Sequence, residues 1–197
     1  MTDSTLYALV LAAGASSRFG STKQVARLDG QPLVARATRN AEAVCDANVV
    51  LVTGNDWPAV IAAAAPMAGC FVVNSRFQEG LSTSIGCGIR ALPDDADGVL
   101  IVLADQPLVT VGHLKRLADA WRQHTGSIVA STWREVSGPP VIFPRDAFRD
   151  LASLSGDAGA RKVIESGRHP VERIDFADGA VDIDRPEDLE KLGEADS

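Results

Sequence analysis

The chain has 197 residues, enough to bury a sizeable apolar core without disulfides or structural metals. Its content of 46% hydrophobic and 23% charged residues is that of an ordinary globular protein. The formal net charge of −7 argues against a nucleic-acid-binding surface, because contact with the phosphate backbone requires a basic face.

The cysteines and the longest uncharged stretch bear on compartment and membrane contact. Cys45, Cys70 and Cys87 lie far apart and form no metal-spaced pair, which favours a reduced, cytoplasmic setting. Residues 57–73 carry no charge, but two prolines and a glycine interrupt them. We therefore expect a buried helix, a turn and a strand there, with no membrane span.

Short apolar runs and helical patterns alternate along the chain. Strands are predicted over Tyr7–Ala12, Asn48–Thr53, Phe71–Asn74, Gly98–Ala104, Ser127–Ser131 and Val141–Phe143. Helices are predicted over Pro32–Cys45, Trp57–Ala65, Leu81–Ala91, Val111–Gln123, Asp157–Ser166 and Pro186–Leu192. The alternation predicts an α/β fold, a single domain over residues 1–197 with a doubly wound, mostly parallel sheet. Ligands of such sheets bind beyond the carboxyl ends of the strands.

The first predicted strand runs directly into a loop of small residues. Residues 12–17 add almost no side-chain bulk, so backbone amides can approach a phosphate closely, and Arg18 and Lys23 add positive charge. The loop is no Walker A motif, because five residues separate Gly14 from Gly20 and no lysine follows directly. A dinucleotide fingerprint would need a second glycine two positions after the first. The pattern predicts a polyphosphate site, with a plain strand-to-helix turn as the structural alternative.

Two acidic segments supply candidate cation ligands. Asp105 ends an apolar strand and precedes a proline, so it either caps the next turn or holds a cation. Mg²⁺ prefers one or two carboxylates, with water and substrate phosphates completing its shell. Asp182 and Asp184 alternate around Ile183 and point the same way in an extended segment. Asp184 also precedes a predicted helix, where an acid is expected for structural reasons alone.

A third constellation joins the end of one strand to the start of a helix. Asn74 ends a predicted strand, Gly80 breaks the chain, and Ser84 lies in the first turn of the next helix. Free amides and hydroxyls at a helix start suit a base edge or a phosphate. N-capping by Ser82 explains the serines almost as well.

A fourth constellation lies in the second half of the chain. Gly138 precedes two prolines, which predicts a stiff turn, and Gly156 with Asp157 indicates a helix N-terminus. Arg161 on that helix either meets an acceptor phosphate or is a surface cation.

Together these motifs resemble one family. The string Leu-Ala-Ala-Gly-x-Ser-x-Arg-Phe-Gly-x-x-Lys, residues 11–23, resembles the signature of MobA-like nucleotidyltransferases, especially the cytidylyltransferases that mature the molybdenum cofactor. The other segments follow in the family's order, and the resemblance extends to about residue 189. It implies a Rossmann-like nucleotidyltransferase fold whose N-terminal half binds the nucleotide and whose C-terminal half binds the acceptor.

The resemblance also implies residue roles. Nucleotide-binding positions would be Leu11, Ala12, Ala13, Gly14, Arg18, Lys23, Asn74, Gly80 and Ser84. Catalytic positions would be Arg18, Lys23 and Asp105, and a Mg²⁺ ion would be held by Asp105 and Asp184. Acceptor-binding positions would be Gly138, Gly156 and Asp157.

The implied reaction transfers a nucleotidyl group from a triphosphate to a phosphorylated acceptor and releases pyrophosphate. Ala13 stands where guanylyltransferases of the family tend to have glycine, which favours CTP, with molybdopterin as acceptor and a molybdoenzyme or its chaperone as recipient. Another base or acceptor, such as a sugar phosphate or phospholactate, stays open. So does a non-catalytic, oxidoreductase-associated nucleotide-binding protein.

Overall fold

In a computed structural model that describes residues 4–16 and 18–195, strands and helices alternate along most of the chain. The strands are β1 Leu6–Ala12, β2 Arg27–Leu28, β3 Gln31–Pro32, β4 Val49–Thr53, β5 Cys70–Val73, β6 Gly98–Leu103, β7 Ile128–Trp133, β8 Val136–Pro144 and β9 Val171–Asp175. The helices are α1 Leu33–Cys45, α2 Trp57–Ala64, α3 Leu81–Ala91, α4 Val111–Gln123, α5 Phe148–Ala152, α6 Arg161–Ile164 and α7 Pro186–Ala195.

Seven of the strands form one sheet in the order β5-β4-β1-β6-β8-β7-β9. Strand β8 runs antiparallel to both of its neighbours, and the other pairs in this sheet are parallel. Strands β2 and β3 form a separate short ribbon. The structure confirms the predicted α/β class with a mostly parallel sheet.

Alternate residues of β1 show why helices cover both faces of this sheet. Ala8 and Val10 are fully buried in one apolar cluster with residues of α1, α2 and α4. Leu9 and Leu11 point to the opposite cluster, which contains residues of α3, α5 and α6. A buried leucine contributes roughly 1.5–3 kcal/mol, so an uncharged strand with two buried faces anchors the sheet centre. The doubly wound arrangement predicted from the sequence is therefore present.

The predicted stiff turn at Gly138 and its two prolines is wrong. These residues lie within β8, at a shift of register in which Ala130 pairs with Val141 and Ser131 pairs with Gly138. The prolines fall between these pairs, because a residue without an N–H group is accommodated best where the ladder is interrupted.

Other differences lie in the second half of the chain. Of the helix predicted over Asp157–Ser166, only the four residues of α6 are helical. Gly156 has a positive φ of 61°, and the residues that follow it form turns before α6 begins. Strand β9 was not predicted, since Val171–Asp175 is an edge strand with three charged residues among its five. Short α5 was also missed.

The uncharged stretch 57–73 forms the predicted helix, turn and strand, but the helix is buried on one face only, through Val60 and Ala64. β5 is an edge strand, and Trp57, Phe71 and Val73 are 44%, 47% and 42% exposed. Across residues 4–16 and 18–195, the helices are all too short or too polar to span a lipid bilayer.

His113 on α4 is buried in a neutral form. Its ring stacks on Phe176 with centroids 4.0 Å apart. Ser131 Oγ donates to the Pro140 carbonyl at 2.6 Å, so it accepts from His113 Nε2 at 2.7 Å. Burial and then the positive charge of Arg116 lower the pKa of His113 from 6.5 to about 4.

This histidine makes the protein less stable in acid. The unfolded chain binds a proton at His113 as the pH falls below 6.5, whereas the folded chain does so only near pH 4. Between about pH 7 and pH 4, the unfolding free energy of the parent should therefore fall by about 3 kcal/mol more than that of His113→Gln. Urea unfolding at several pH values measures this difference. His124→Gln, at a side chain that is 67% exposed, is the control, and a pH-independent difference for His113→Gln would contradict the account.

Candidate active site

Strand pairing brings the predicted loop and the predicted acid together. β1 and β6 are parallel neighbours with Leu11 opposite Leu103, and the amide of Ala104 donates to the Leu11 carbonyl at 3.1 Å. The small-residue loop and Asp105 therefore leave adjacent strands at the same edge of the sheet. A cleft of about 370 Å³ opens there. Its lining includes the predicted Leu11, Ala13, Gly14, Lys23, Gly80, Ser84, Asp105 and Asp157.

The loop after β1 is held by a buried side chain that the sequence did not single out. Gln24, 3% exposed, donates from Nε2 to the Gly14 carbonyl at 3.1 Å and accepts from Ser16 Oγ at 3.1 Å. Ser16 Oγ in turn accepts from the backbone amide of Lys23 at 3.1 Å. These bonds fix the backbone at Gly14 and Lys23 and the side chain of Ser16 before any ligand arrives.

Lys23 connects the loop to both acidic segments. Its ammonium lies 2.6 Å from Asp105 Oδ2, 2.9 Å from the Ile183 carbonyl and 3.3 Å from Asp184 Oδ1. Loss of solvent lowers the pKa of Lys23, but the carboxylates of Asp105 and Asp184 outweigh it, so the pKa is raised overall. Arg18 reaches Asp184 Oδ2 at 3.1 Å from a largely exposed position. The cations and acids predicted from separate motifs thus form one cluster.

This cluster fits a divalent cation. Two carboxylates and a backbone carbonyl already converge on one positive group, and oxygen ligands of this kind are those that Mg²⁺ and Mn²⁺ take. Within residues 4–16 and 18–195, groups of three or more acidic, histidine or cysteine side chains with metal-binding geometry do not occur. A metal here would therefore depend on Asp105 and Asp184, with water and substrate oxygens in its remaining positions.

Asp182 adds negative charge close to this pair. Partial loss of solvent, and then the neighbouring charge of Asp105, raise the pKa of Asp182 to about 6. The accumulation of three acids at one edge of the sheet makes a bound cation electrostatically favourable.

Asn74 lies behind the wall of the cleft. It is 6% exposed, its Nδ2 donates to Thr83 Oγ1 at 2.9 Å and to Ser84 Oγ at 3.0 Å, and its Oδ1 accepts from the amide of Arg76. Because these bonds use the donors of its side-chain amide, Asn74 holds the first turn of α3 in place. Gly80 and Ser84 of this constellation line the cleft.

The first turn of α3 also joins the second half of the chain. Gly80 has a φ of 112°, and a Cβ there would collide with the Gly156 carbonyl. Ser82 does not cap the helix. Its Oγ donates to that same carbonyl at 2.7 Å, and its amide does so at 3.2 Å. Asp157 consequently lines the same cleft as the loop after β1. The predicted acceptor residue Gly138 lies in β8 against Trp133.

Two further residues that the sequence did not indicate shape the site. Phe77 forms part of the cleft wall, and it packs so closely on Gly54 that a Cβ there would lie 2.8 Å from the Phe77 Cβ. Gln106, 6% exposed, donates to the carbonyls of Pro139 and Gly179 at 3.3 Å each. It ties the strand end that carries Asp105 to the second half of the chain.

Three known proteins are similar to this chain over more than nine-tenths of its length. Purine catabolism protein PucB of Bacillus subtilis is 27% identical over 96% of this chain and 97% of its own length. Molybdenum cofactor cytidylyltransferase of Escherichia coli is 21% identical, with 94% of each chain aligned. Nicotine blue oxidoreductase of Paenarthrobacter nicotinovorans is 29% identical over 93% of this chain and 94% of its own.

Solved structures are also similar. The crystal structure of Rv0371c from Mycobacterium tuberculosis superimposes with a TM-score of 0.85 and 31% identity, covering 98% of this chain and 100% of that one. A manganese complex of Rv0371c superimposes with a TM-score of 0.81 and 28% identity, covering 97% of this chain and 99% of that one. The model of the MobA-like NTP transferase domain matches residues 8–172. The chain therefore belongs to the MobA-like nucleotidyltransferase family.

Proposed function

We propose that this nucleotidyltransferase transfers a cytidylyl group from CTP to the phosphate of molybdopterin and releases pyrophosphate. The observation that carries the proposal is the joining of Arg18 and Lys23 with Asp105 and Asp184 beside a cleft lined by Ala13. Two of the similar proteins, the cytidylyltransferase and the manganese-bound Rv0371c, are consistent with this chemistry and with a divalent cation.

The proposed reaction is a displacement at the α-phosphorus of the triphosphate. An oxygen of the acceptor phosphate forms the new bond, and the bond from the α-phosphorus to the bridging oxygen of pyrophosphate breaks. The second pKa of a phosphate monoester is about 6, so the nucleophile is already ionised and no general base is required. A divalent cation on Asp105 and Asp184 would neutralise charge on the phosphates.

The residues of this chain would then act mainly by positioning. Lys23 and Arg18 would stabilise the charge of the triphosphate, and the loop fixed by Gln24 would present its amides to the phosphates. Asp157 and Gly156 would lie on the acceptor side, next to the first turn of α3. Holding both substrates in one cleft supplies proximity and orientation.

The choice of cytosine rests on the space beside the loop. Ala13 is 4% exposed and lines the cleft, so a base bound against it would meet its methyl group, and a purine would have less room there than a pyrimidine. Gln78 and Ser84 also line the cleft, and their side chains would offer both donors and acceptors to a base edge.

A panel of CTP, GTP, ATP and UTP with molybdopterin, read out by pyrophosphate release, tests the proposal. We expect turnover with CTP, and a loss of at least about 10²-fold for Asp105→Asn because charge on the phosphates is no longer neutralised. Asp119→Asn, at an exposed acid on α4, is the matched control. Turnover with GTP alone would refute the choice of CTP, and wild-type activity of Asp105→Asn would refute the site.

The base selectivity generates a separate prediction for Ala13→Gly. Removing the methyl group should raise kcat/KM for GTP relative to CTP by about tenfold, which is the effect of about one methyl-sized group in a binding pocket. Ala68→Gly removes the same methyl group at an exposed turn before β5, away from the residues that line the cleft, and should leave the ratio unaltered. Competition assays with both nucleotides measure the ratio, and an unchanged ratio for Ala13→Gly would show that the methyl group does not select the base.

A second candidate is an oxidoreductase, as the name of the 29% identical nicotine blue oxidoreductase indicates. It predicts consumption of reduced nicotinamide nucleotide without pyrophosphate release. The loop after β1 lacks the glycine spacing of a dinucleotide fingerprint, which favours the transferase. Reduced nicotinamide nucleotide added to the same panel separates the two functions, because only an oxidoreductase would lower its absorbance.

A further inference from the structure

The ammonium of Lys23 is fully engaged by the two acidic segments. It has three N–H donors, and three acceptors surround it, namely Asp105 Oδ2, the Ile183 carbonyl and Asp184 Oδ1. The side chain of Lys23 is only 12% exposed, so these bonds lie in a partly desolvated place where charge interactions are strong. Lys23 is therefore bound as a cation within the acid cluster.

The acceptors around Lys23 are of the same kind as the ligands of a hard divalent cation. Asp105 and Asp184 are the residues assigned above to the metal, and Arg18 takes the remaining oxygen of Asp184. A divalent cation on either carboxylate would lie beside the Lys23 ammonium. Even at an effective dielectric constant of about 20, such like charges repel strongly. The metal and the lysine therefore compete for one site.

We propose that Lys23 is an exchangeable cation, which neutralises Asp105 and Asp184 until a metal–triphosphate complex arrives and then moves to the phosphates. The triphosphate supplies the negative charge that Lys23 loses when the metal takes the carboxylates. Metal and triphosphate consequently bind together, each increasing the affinity for the other by the same factor. The second half of this exchange rests on the proposed function, whereas the competition between lysine and metal does not.

Binding of Mn²⁺ to the nucleotide-free protein tests the competition. The titration is followed by calorimetry and by the electron paramagnetic resonance of free Mn²⁺ at about pH 8, well above ordinary carboxyl pKa values. Lys23→Met and Lys23→Gln should each bind Mn²⁺ about tenfold more tightly than the parent, a coupling of ordinary size. Lys23→Arg keeps the charge and should bind as weakly as the parent. Lys162→Met, at an exposed lysine of α6, is the control.

Unchanged or weaker Mn²⁺ binding by both uncharged variants would overturn the exchange. Adding Asp105→Asn to Lys23→Met should abolish the gain in Mn²⁺ affinity. Tight Mn²⁺ binding that persists in this double variant would mean that the ion binds elsewhere, and it would also overturn the exchange. The unfolding transition of each variant verifies that it is folded. Tighter Mn²⁺ binding without cytidylyl transfer by the parent would support the exchange and refute the proposed function. Cytidylyl transfer by the parent, together with Mn²⁺ binding that is not tighter in the uncharged Lys23 variants, would refute the exchange and leave the proposed function standing.

Discussion

The bond network of the Lys23 ammonium is the interaction on which the rest of the site depends. It joins three segments that are distant in the chain: the loop after β1, the residue beyond β6 and the stretch before α7. Removing one partner would leave the other charges of this partly buried network uncompensated, so the network favours one arrangement of these segments. The parallel pairing of β1 with β6 brings Lys23 and Asp105 to one edge, and the hydrogen bond from the Ile183 amide to the Asp105 carbonyl, 2.9 Å long, adds the third segment.

Both halves of the chain contribute to this cleft. The Gly156 carbonyl accepts from Ser82, and Gln106 donates to Pro139 and Gly179, so the second half is fastened to the first at the start of α3 and at the end of β6. Two substrates that must react with each other would then be enclosed by one rigid wall. That arrangement suits a reaction whose acceleration comes from positioning and charge neutralisation more than from proton transfer.

The sequence predicted the first half of the fold well because its signals are local and strong. Uncharged strands and periodic helices from residue 6 to residue 123 lie within about one residue of their predicted bounds where the apolar pattern is continuous. Prediction was poorer where tertiary contacts decide the outcome. The prolines before Val141 lie in a strand because a shift of register accommodates them, and Val171–Asp175 forms a strand because β7 offers it an edge.

In the candidate site, too, residues within motifs could be predicted, whereas residues placed by tertiary contacts could not. Arg18, Lys23, Asp105 and Asp184 could be identified from motifs, and the structure brings them together. The supporting residues could not, because a buried glutamine has no sequence pattern that distinguishes it from an exposed one. Gln24 and Gln106 are of this kind. The bonds of Asn74 to the first turn of α3 likewise have no sequence pattern, and its contact with the nucleotide stays a prediction.

A crystal structure with Mg²⁺ and a non-hydrolysable CTP analogue is the most direct test of the central claim, that this cation–acid cluster is the triphosphate site. The account predicts that the metal contacts Asp105 and Asp184, that Lys23 has moved from these carboxylates to a phosphate oxygen, and that the base lies against Ala13. A nucleotide bound outside the cleft, or a metal–triphosphate complex bound while Lys23 still contacts Asp105, would contradict it.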